Sequence, residues 1–211
     1  MNIQKQGRQT MISDTAKEYA FLALMFRQRL LPRWNRMGLF EQENVLEHSA
    51  EVTLTSLLLG LISKHEFGHD VDMAKLLSYS ILHDGEEVLT TDLPSPIKRS
   101  SPEFYDTWKR LEVENEKLLF SKMPEYMRKE IEEICHVKTY ESELVKAADV
   151  YVAYNKAKRE FAMGNVLEFK VAVKKCEAAY LEYAGKYPEL ERLNDYFGEC
   201  MLMSLDELID A

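Results

Sequence analysis

Apolar residues recur at helical spacing along almost the whole chain, and this periodicity limits the possible folds more than any other feature. Val45, Val52 and Leu59 form one such run, and spacing of this kind places side chains on one face of an α-helix. No segment alternates polar and apolar residues over five positions, as a half-buried strand would. The sequence therefore predicts an all-α fold. Because no Ser/Gly-rich linker or internal repeat divides it, a single domain is expected over residues 1–211.

Capping residues and prolines divide the chain into successive predicted helices. Residues 1–12 are expected to be frayed, and a first helix is expected from Ser13 or Asp14 to about Leu31, before Pro32. The stretch 85–98 is expected to form a loop with one short helical turn. Further helices are predicted from Glu43 to about Lys64, from Asp72 to His83 and Asp84, from Ser142 to Met163, and over 102–120, 124–138, 166–185 and 189–209.

Composition and charge exclude several classes of function. The 36 acidic residues outnumber the 27 basic ones, whereas proteins that bind nucleic-acid polymers usually present a basic face. The three cysteines are odd in number and form no CxxC pair, which is typical of a reducing cytoplasm. The N-terminus lacks the apolar core of a signal peptide, and the longest apolar run, 57–62, is too short to span a membrane. We therefore expect a soluble cytoplasmic protein without a membrane or nucleic-acid polymer as partner.

Five histidines are present, and one of them forms an adjacent His-Asp pair at a predicted helix end. The imidazole of His83 and the carboxylate of Asp84 could face one cation, and this ligand chemistry suits transition metals more than Mg²⁺ or Ca²⁺. His69-Asp70 is a second such pair, which we interpret as part of a loop leading to a helix cap at Asp72. The dipeptide alone is therefore not diagnostic.

Two more residues complete a possible ligand set. His48 lies on a helix whose other face is apolar, and Asp149 lies in a buried-looking stretch where an unpaired carboxylate would be costly. Taken singly, His48 could be a core histidine and Asp149 could be the ion-pair partner of Lys146. The order His48, His83-Asp84, Asp149 nevertheless resembles the ligand signature of the HD superfamily.

The resemblance extends beyond these ligands to the bacterial HD-domain 5′-deoxynucleotidases. It runs from about Phe21 to Tyr154, which would form the metal-site core of an HD-domain helical bundle, and more loosely through C-terminal helices at about 166–209. Gly85, Glu86 and Thr91 depart from the family pattern. Its motifs are Arg33-Trp34, Glu43-Asn44-Val45-x-Glu47-His48-Ser49, His83-Asp84-x-x-Glu87-Val88-Leu89-Thr90-x-Asp92-Leu93-Pro94-x-Pro96-x-Lys98 and Leu144-Val145-Lys146-x-Ala148-Asp149.

This resemblance implies a metal-dependent release of phosphate from deoxyribonucleoside 5′-monophosphates. It implies one divalent transition metal (Co, Mn, Fe, Ni or Zn) and a homodimer. The metal ligands would be His48, His83, Asp84 and Asp149. Glu87 and Asp92 would be catalytic, with either able to activate water, and Arg33 would clamp the phosphate. Trp34 would crowd the sugar and exclude a 2′-hydroxyl, and Thr90, Asp92 and Lys98 would complete the substrate-binding residues.

Alternatives remain open at this point. Glu87 could be a solvated helix-end charge, Arg33 a partner of a helix dipole and Trp34 a core indole, while Asp92 could be a loop cap and Lys98 a surface charge. Other HD-superfamily activities are possible, namely hydrolysis of alarmones or of deoxynucleoside triphosphates. Val88 counts against the alarmone branch, which usually has aspartate after the glutamate. A non-catalytic helical module with a structural metal is the remaining alternative.

Overall fold

The computed structural model describes residues 17–135 and 138–210, and within these ranges the protein is helical without β-strands. Short 3₁₀-helices in the described part of the chain span Phe26–Leu30, Gly85–Leu89 and Cys200–Leu202. The prediction of an all-α fold is therefore confirmed. The α-helices that begin within the described ranges are α1 (Phe21–Met25), α2 (Val45–Glu66), α3 (Met73–Leu82), α4 (Ser95–Lys98), α5 (Pro102–Phe120), α6 (Glu125–Cys135, where the first described range stops), α7 (Tyr140–Ala162), α8 (Val166–Lys186), α9 (Pro188–Phe197) and α10 (Leu205–Ile209).

The main core lies where α2, α3 and α7 pack together, with α8 and α9 closing the far side. Leu59 and Leu76 are completely buried there, and so is Leu144. Gly60 allows α2 and α3 to approach closely, because a Cβ atom at this position would lie 2.5 Å from Leu76 Cδ2. Burial of each large aliphatic side chain stabilises the fold by about 1.5–3 kcal/mol, so this core fixes the relative positions of the three helices.

A smaller core joins α1 to α5 and to the 3₁₀-helix Gly85–Leu89. Met25 and Leu119 are buried in it. A Cβ atom on Gly85 would lie 3.3 Å from both Leu119 Cδ2 and Met25 Sδ. A glycine at this departure from the family pattern would be expected to loosen the turn; instead, the missing side chain allows the turn to pack tightly.

Side-chain caps explain where the central helices begin. Asn44 accepts a hydrogen bond from Glu47 N, and the Glu47 carboxylate accepts one from Asn44 N, which forms a capping box at the start of α2. Asp72 caps α3 as predicted. The predicted start of α7 at Ser142 is three residues late, because Thr139 is the cap and Ser142 is its partner in the capping box.

Several predicted boundaries need correction. The predicted first helix is not α-helical up to Leu31. After α1 the chain continues as a 3₁₀-helix that ends at Leu30, and Leu31 is extended, as the residue before a proline usually is. The predicted start at Ser13 or Asp14 and the predicted fraying of residues 1–12 lie outside the described residues, as does the end of the 124–138 helix, since α6 is described to Cys135. The stretch 85–98 contains two short helices rather than one turn.

The predicted helix over 189–209 is wrong as a continuous element. It divides into α9, the 3₁₀-helix Cys200–Leu202 and α10. Met203 is extended, and Ser204 starts α10 with a new capping box to Glu207. The apolar periodicity continues across this break, so the local capping chemistry rather than the hydrophobic pattern decides where the helices end.

One described helix, α2, is long and apolar enough to cross a membrane by length and composition. The contiguous apolar run at 57–62 is too short to indicate a possible membrane span, because polar residues interrupt the wider apolar stretch of this helix. Val45 and Val52 of this helix are completely buried, as is Leu59, against other parts of the protein. Its position at the centre of the bundle therefore explains its apolar composition by packing.

Buried polar groups also hold the loop 38–41 against α7. Glu160 is completely buried, and its carboxylate accepts hydrogen bonds from the backbone N–H groups of Phe40 and Glu41. Lys156 Nζ and Asn165 Nδ2 donate two more. Four donors on one carboxylate compensate for its burial. The loop 38–41 is therefore held against α7.

Candidate active site

Three helices bring together side chains that are far apart in the sequence. His48 lies on α2, His83 caps the C-terminus of α3, and Asp149 lies on α7. One ligand atom from each of these three residues lies within 4.8 Å of the other two, and His48 Nε2 is 3.0 Å from Asp149 Oδ1. Asp84 Oδ2 is 3.3 Å from His83 Nε2 and 3.9 Å from His48 Nε2. The four residues predicted as ligands therefore converge.

The outer nitrogen of each histidine has a neighbour that orients the ring. His83 Nδ1 is 2.7 Å from the backbone carbonyl of Ser80, and a carbonyl can only accept, so Nδ1 carries the proton. His48 Nδ1 is 3.3 Å from Glu43 Oε1. Both rings therefore turn Nε2 toward the carboxylates. His83 Nε2 is buried with no hydrogen-bond partner in the described part of the chain, and such an atom beside two carboxylates fits a divalent cation.

Neighbouring charges shift the pKa values of these residues. Burial would lower the pKa of His83, but the adjacent Asp84 carboxylate outweighs it and raises that pKa to about 9. Burial would likewise raise the pKa of Asp149, yet Lys146 and His48 hold it well below its usual range. The Lys146 Nζ–Asp149 Oδ2 distance is 2.5 Å, so the ion pair offered as an alternative for Asp149 is present together with its approach to the histidines.

Glu87 lies on the 3₁₀-helix Gly85–Leu89 and is 4% exposed. The four-residue spacing from His83 predicts that Glu87 lies one α-helical turn beyond it, but α3 ends at Leu82 and a 3₁₀-helix begins at Gly85, so this spacing prediction is wrong. Glu87 is nevertheless buried, not a solvated helix-end charge. Burial, with the charges of Asp84 and Asp92, raises its pKa to about 9.

Lys98 forms an ion pair with Glu87. Its Nζ atom lies 3.8 Å from Glu87 Oε1 and 3.4 Å from Glu112 Oε1, and it lies 5.9 Å from the centre of the Trp108 ring. Burial would lower the pKa of Lys98, but Glu87 and Glu112 raise it instead. The lysine is therefore held at the site by partners, and it is not a free surface charge.

Arg33 and Trp34 lie in the segment between α1 and α2, next to the site. Arg33 Nη1 is 3.4 Å from Asp84 Oδ2, and Arg33 Nε is 3.2 Å from Glu43 Oε1. Trp34 has a backbone φ of 53°, a conformation that bulky residues rarely adopt. Its indole N–H donates to Glu43 Oε2 at 2.9 Å, and its ring packs 5.4 Å from that of Phe169.

The loop that carries Thr90 and Asp92 is tied to the same segment. Asn35 Nδ2 donates to the backbone carbonyl of Asp92 at 2.8 Å. Burial raises the pKa of Asp92, although Arg33 opposes the shift. The Thr90 hydroxyl points to the carbonyl of Thr91 at 3.4 Å. Asp92 is thus brought near the arginine and Lys98, whereas the contact of the Thr90 side chain is local.

The second His-Asp pair has structural contacts of its own. His69 Nδ1 is 2.5 Å from Tyr140 Oη and 2.9 Å from Glu189 Oε1, and Ser63 Oγ is 3.2 Å from the same nitrogen. These residues connect the end of α2 to α7 and α9. The interpretation of His69-Asp70 as part of a connecting loop agrees with this geometry.

Sequence reasoning assigned no role to several residues that support the site. Glu43 touches three predicted site residues, and Gln28, which is completely buried, donates from Nε2 to the backbone carbonyl of Asp84 at 3.2 Å. Glu43 is the first residue of the motif that contains His48, so its position was the available signal. Gln28 had none, because a glutamine in a helix is usually exposed.

The comparisons with known proteins agree with this geometry. A family model described as 5′-deoxynucleotidase YfbR-like matches residues 20–204. The 5′-deoxynucleotidase YfbR of Escherichia coli is 33% identical over 195 residues, which cover 91% of this chain and 96% of the relative. Most of both chains is therefore matched.

Solved structures share the fold. An HD-domain phosphohydrolase from Listeria innocua superposes with a TM-score of 0.75 at 18% identity and covers 88% of this chain and 89% of its own. A cyanophage S-2L HD phosphohydrolase, solved with dA and one catalytic Zn²⁺ ion, has a TM-score of 0.58 at 18% identity and covers 85% and 95%. Both likenesses support the HD-domain fold.

Proposed function

The chain belongs to the YfbR-like family of 5′-deoxynucleotidases, and we propose that it uses one divalent metal ion to remove the phosphate from deoxyribonucleoside 5′-monophosphates. One observation carries the metal dependence. The buried Nε2 atom of His83 has no hydrogen-bond partner among the described residues and faces the carboxylate of Asp84. A helical module without catalysis would need no buried Glu87 beside such a group.

His48, His83, Asp84 and Asp149 would hold the ion. Two imidazoles and two carboxylates suit Co, Mn, Fe, Ni or Zn, and the cell's metal supply selects among them. When bound, such an ion supplies the polarisation of water and of a phosphate oxygen that hydrolysis of a phosphomonoester needs. The remaining roles fall to side chains of this chain.

Arg33 and Lys98 would bind the phosphate. A guanidinium group matches phosphate oxygens in a bidentate fork, and Arg33 is held beside Asp84 with its charge favoured by that carboxylate. Lys98 adds a second positive charge next to Glu87. Two cations suit a monophosphate, whereas a triphosphate would call for more, which favours the monophosphatase over the triphosphate hydrolase.

Glu87 and Asp92 would transfer the protons of the reaction. Both have raised pKa values because they are removed from water near other carboxylates, and active sites commonly shift the pKa of a carboxyl group in this way for proton transfer. One would accept the proton of the attacking water, and the other would donate a proton to the departing 5′ oxygen. Thr90, on the same loop as Asp92, would contact the substrate there.

Trp34 would select deoxyribose by crowding the 2′ position, so that a ribonucleotide fits poorly. Its ring is fixed on one side by Phe169 and at the indole nitrogen by Glu43. A fixed ring can exclude a hydroxyl group, whereas a mobile ring would move aside. The packing on Phe169 is thus compatible with a role in selectivity as well as with the alternative of a core indole.

The test is phosphate release from paired deoxy and ribo monophosphates after chelator treatment and return of Mn²⁺, Co²⁺ or Zn²⁺. We expect metal-dependent release from the deoxy substrate and much less from the ribo substrate. Asp84→Asn should abolish the activity, while Asp70→Asn, the matched change in the second His-Asp pair, should retain it. Absence of metal-dependent release by the wild-type chain from any monophosphate would refute the proposal.

We also propose that the protein acts as a homodimer in the cytoplasm. The C-terminal apolar surface, defined as Met201, Leu202, Leu205, Leu208 and Ile209, supports a dimer because Leu205 is 70% and Ile209 is 69% exposed. Contiguous exposed apolar surface of this kind is typical of interfaces. The free cysteines support a reducing compartment. Light scattering should give about twice 24.6 kDa, and Leu205→Asp should give a monomer; a wild-type monomer would contradict the proposal.

A further inference from the structure

Glu43 is a buried carboxylate that precedes α2 and belongs to neither the predicted ligands nor the predicted catalytic residues. Only 8% of the residue is exposed. Its backbone carbonyl accepts a hydrogen bond from Arg33 N at 3.0 Å, next to the isolated antiparallel bridge between Pro32 and Asn44. The residue is therefore fixed at the base of the loop that carries Arg33 and Trp34, and its side chain is turned inward.

Its two carboxylate oxygens reach three side chains with different proposed roles. Oε1 lies 3.3 Å from His48 Nδ1 and 3.2 Å from Arg33 Nε. Oε2 accepts the hydrogen bond from Trp34 Nε1 at 2.9 Å. The contact with the indole is thus a hydrogen bond, and the two contacts of Oε1 are at ion-pair distance.

We infer that Glu43 is a positioning residue that couples the metal ligand His48 to the phosphate clamp Arg33 and to the sugar-facing Trp34; this inference rests on the proposed function. A carboxylate on the outer nitrogen of a ligating imidazole fixes the ring and its tautomer. Because the same carboxylate also fixes the indole, metal affinity and discrimination between sugars both depend on Glu43.

The backbone of Trp34 strengthens this argument. At a φ of 53° the segment stays in place only when surrounding contacts hold it. The indole donates a hydrogen bond to Glu43 and packs on the ring of Phe169. Without the carboxylate, the ring would keep its packing contact but lose the polar contact that fixes its angle, so the 2′ position should become accessible.

Glu43→Gln in the full-length protein tests the coupling. It removes the charge and one acceptor while keeping the size. We expect Zn²⁺ affinity, measured by competition with a chromophoric chelator, to fall about 10–100-fold. At saturating metal, the ratio of kcat/KM for a deoxy monophosphate to that for its ribo counterpart should fall at least tenfold. Glu41→Gln, two residues away and paired instead with Arg159, should leave both quantities within about twofold.

A double variant separates positioning from a loss of fold. If Glu43 acts on the sugar through the indole, Glu43→Gln combined with Trp34→Phe should lose no more sugar discrimination than Trp34→Phe alone. Should Glu43→Gln fail to fold, Glu43→Asp keeps the charge but is one methylene too short to reach all three partners, and the same two losses are expected.

The outcomes distinguish this inference from the proposed function. Unchanged Zn²⁺ affinity in a folded Glu43 variant would overturn the coupling, and so would an unchanged sugar ratio in an active one. Absence of turnover by the wild-type chain would remove the proposed function instead, and Zn²⁺ affinity alone would then decide whether Glu43 positions the metal ligand. A merely structural role would lower the melting temperature without moving either quantity.

Discussion

Replacing Glu87 by glutamine should make the metal-free protein more stable while abolishing its activity. The folded protein holds a proton on Glu87 up to a pH of about 9, because burial and the charges of Asp84 and Asp92 raise its pKa. In the unfolded chain the same group releases the proton near pH 4.5. Since the folded state binds the proton more tightly, this group favours folding at low pH, and its contribution is lost progressively as the pH rises toward 9. Glutamine has no proton to release.

The size of the effect follows from the proton linkage. One proton bound by the folded state and absent from the unfolded state changes the free energy of unfolding by about 1.4 kcal/mol per pH unit. The stability difference between Glu87→Gln and wild type should therefore grow by about 1.4 kcal/mol per unit between roughly pH 5 and 8. For a chain of this length, each kcal/mol shifts the melting temperature by roughly 2–4 °C.

The assay is thermal or urea unfolding of both proteins in the presence of chelator, measured from pH 5 to 8. Comparing variant with wild type cancels the contributions of other titrating groups, and Glu103→Gln, a change at an exposed carboxylate on α5, serves as the control and should give a curve parallel to wild type. Parallel curves for Glu87→Gln and wild type would refute the reasoning. In the metal-loaded enzyme the variant should lose at least 10²-fold in kcat.

Three further predictions concern other buried groups. His83 must lose a proton to bind metal, and its pKa is raised to about 9; apparent Zn²⁺ affinity should therefore rise up to about tenfold per pH unit from 6 to 8, and a flat profile in a competition titration would contradict this. Tyr140→Phe removes the hydroxyl that donates to buried Glu189 and should cost roughly 1–3 kcal/mol in urea unfolding, whereas Tyr196→Phe, which removes an exposed hydroxyl, should cost less than about 0.5. Burial opposes ionisation of Glu160, but its hydrogen bonds lower its pKa to about 2; stability should fall in the wild type as the pH drops from 4.5 toward 2, with a flatter profile in Glu160→Gln if the hydrogen bonds are the cause.

The positions of the central helices were predictable because their signals are local. Asp72 and Pro102 stand at the starts of α3 and α5, and apolar periodicity fills the helices between such caps. The C-terminal helix was predicted as continuous because periodicity persists where Ser204 opens a new capping box. The extent of a single domain over residues 1–211 stays a prediction.

The candidate site was predictable in its residues but not in its connections. His48 and Asp149 could be recognised from their order in the sequence, since that order resembles a family motif. The contacts of Glu43 could not be predicted from the sequence. They depend on how the loop before α2 folds back onto this helix, and no spacing rule describes that path. The position of Glu87 was anticipated for a wrong reason, because the chain changes from α3 to a 3₁₀-helix at the ligands.

A metal ion at this site would also act as a reversible cross-link within the chain. Its proposed ligands come from α2, the end of α3 and α7, and Asp149 lies 101 residues beyond His48. A disulfide restricts the unfolded chain because it persists on unfolding, whereas the ion would dissociate on unfolding and would stabilise only the folded state, to an extent set by the supply of free metal. An ion present at about 100 times its dissociation constant would stabilise the fold by about 2.7 kcal/mol. The cell's metal status would thus set how long the protein persists as well as how fast it works.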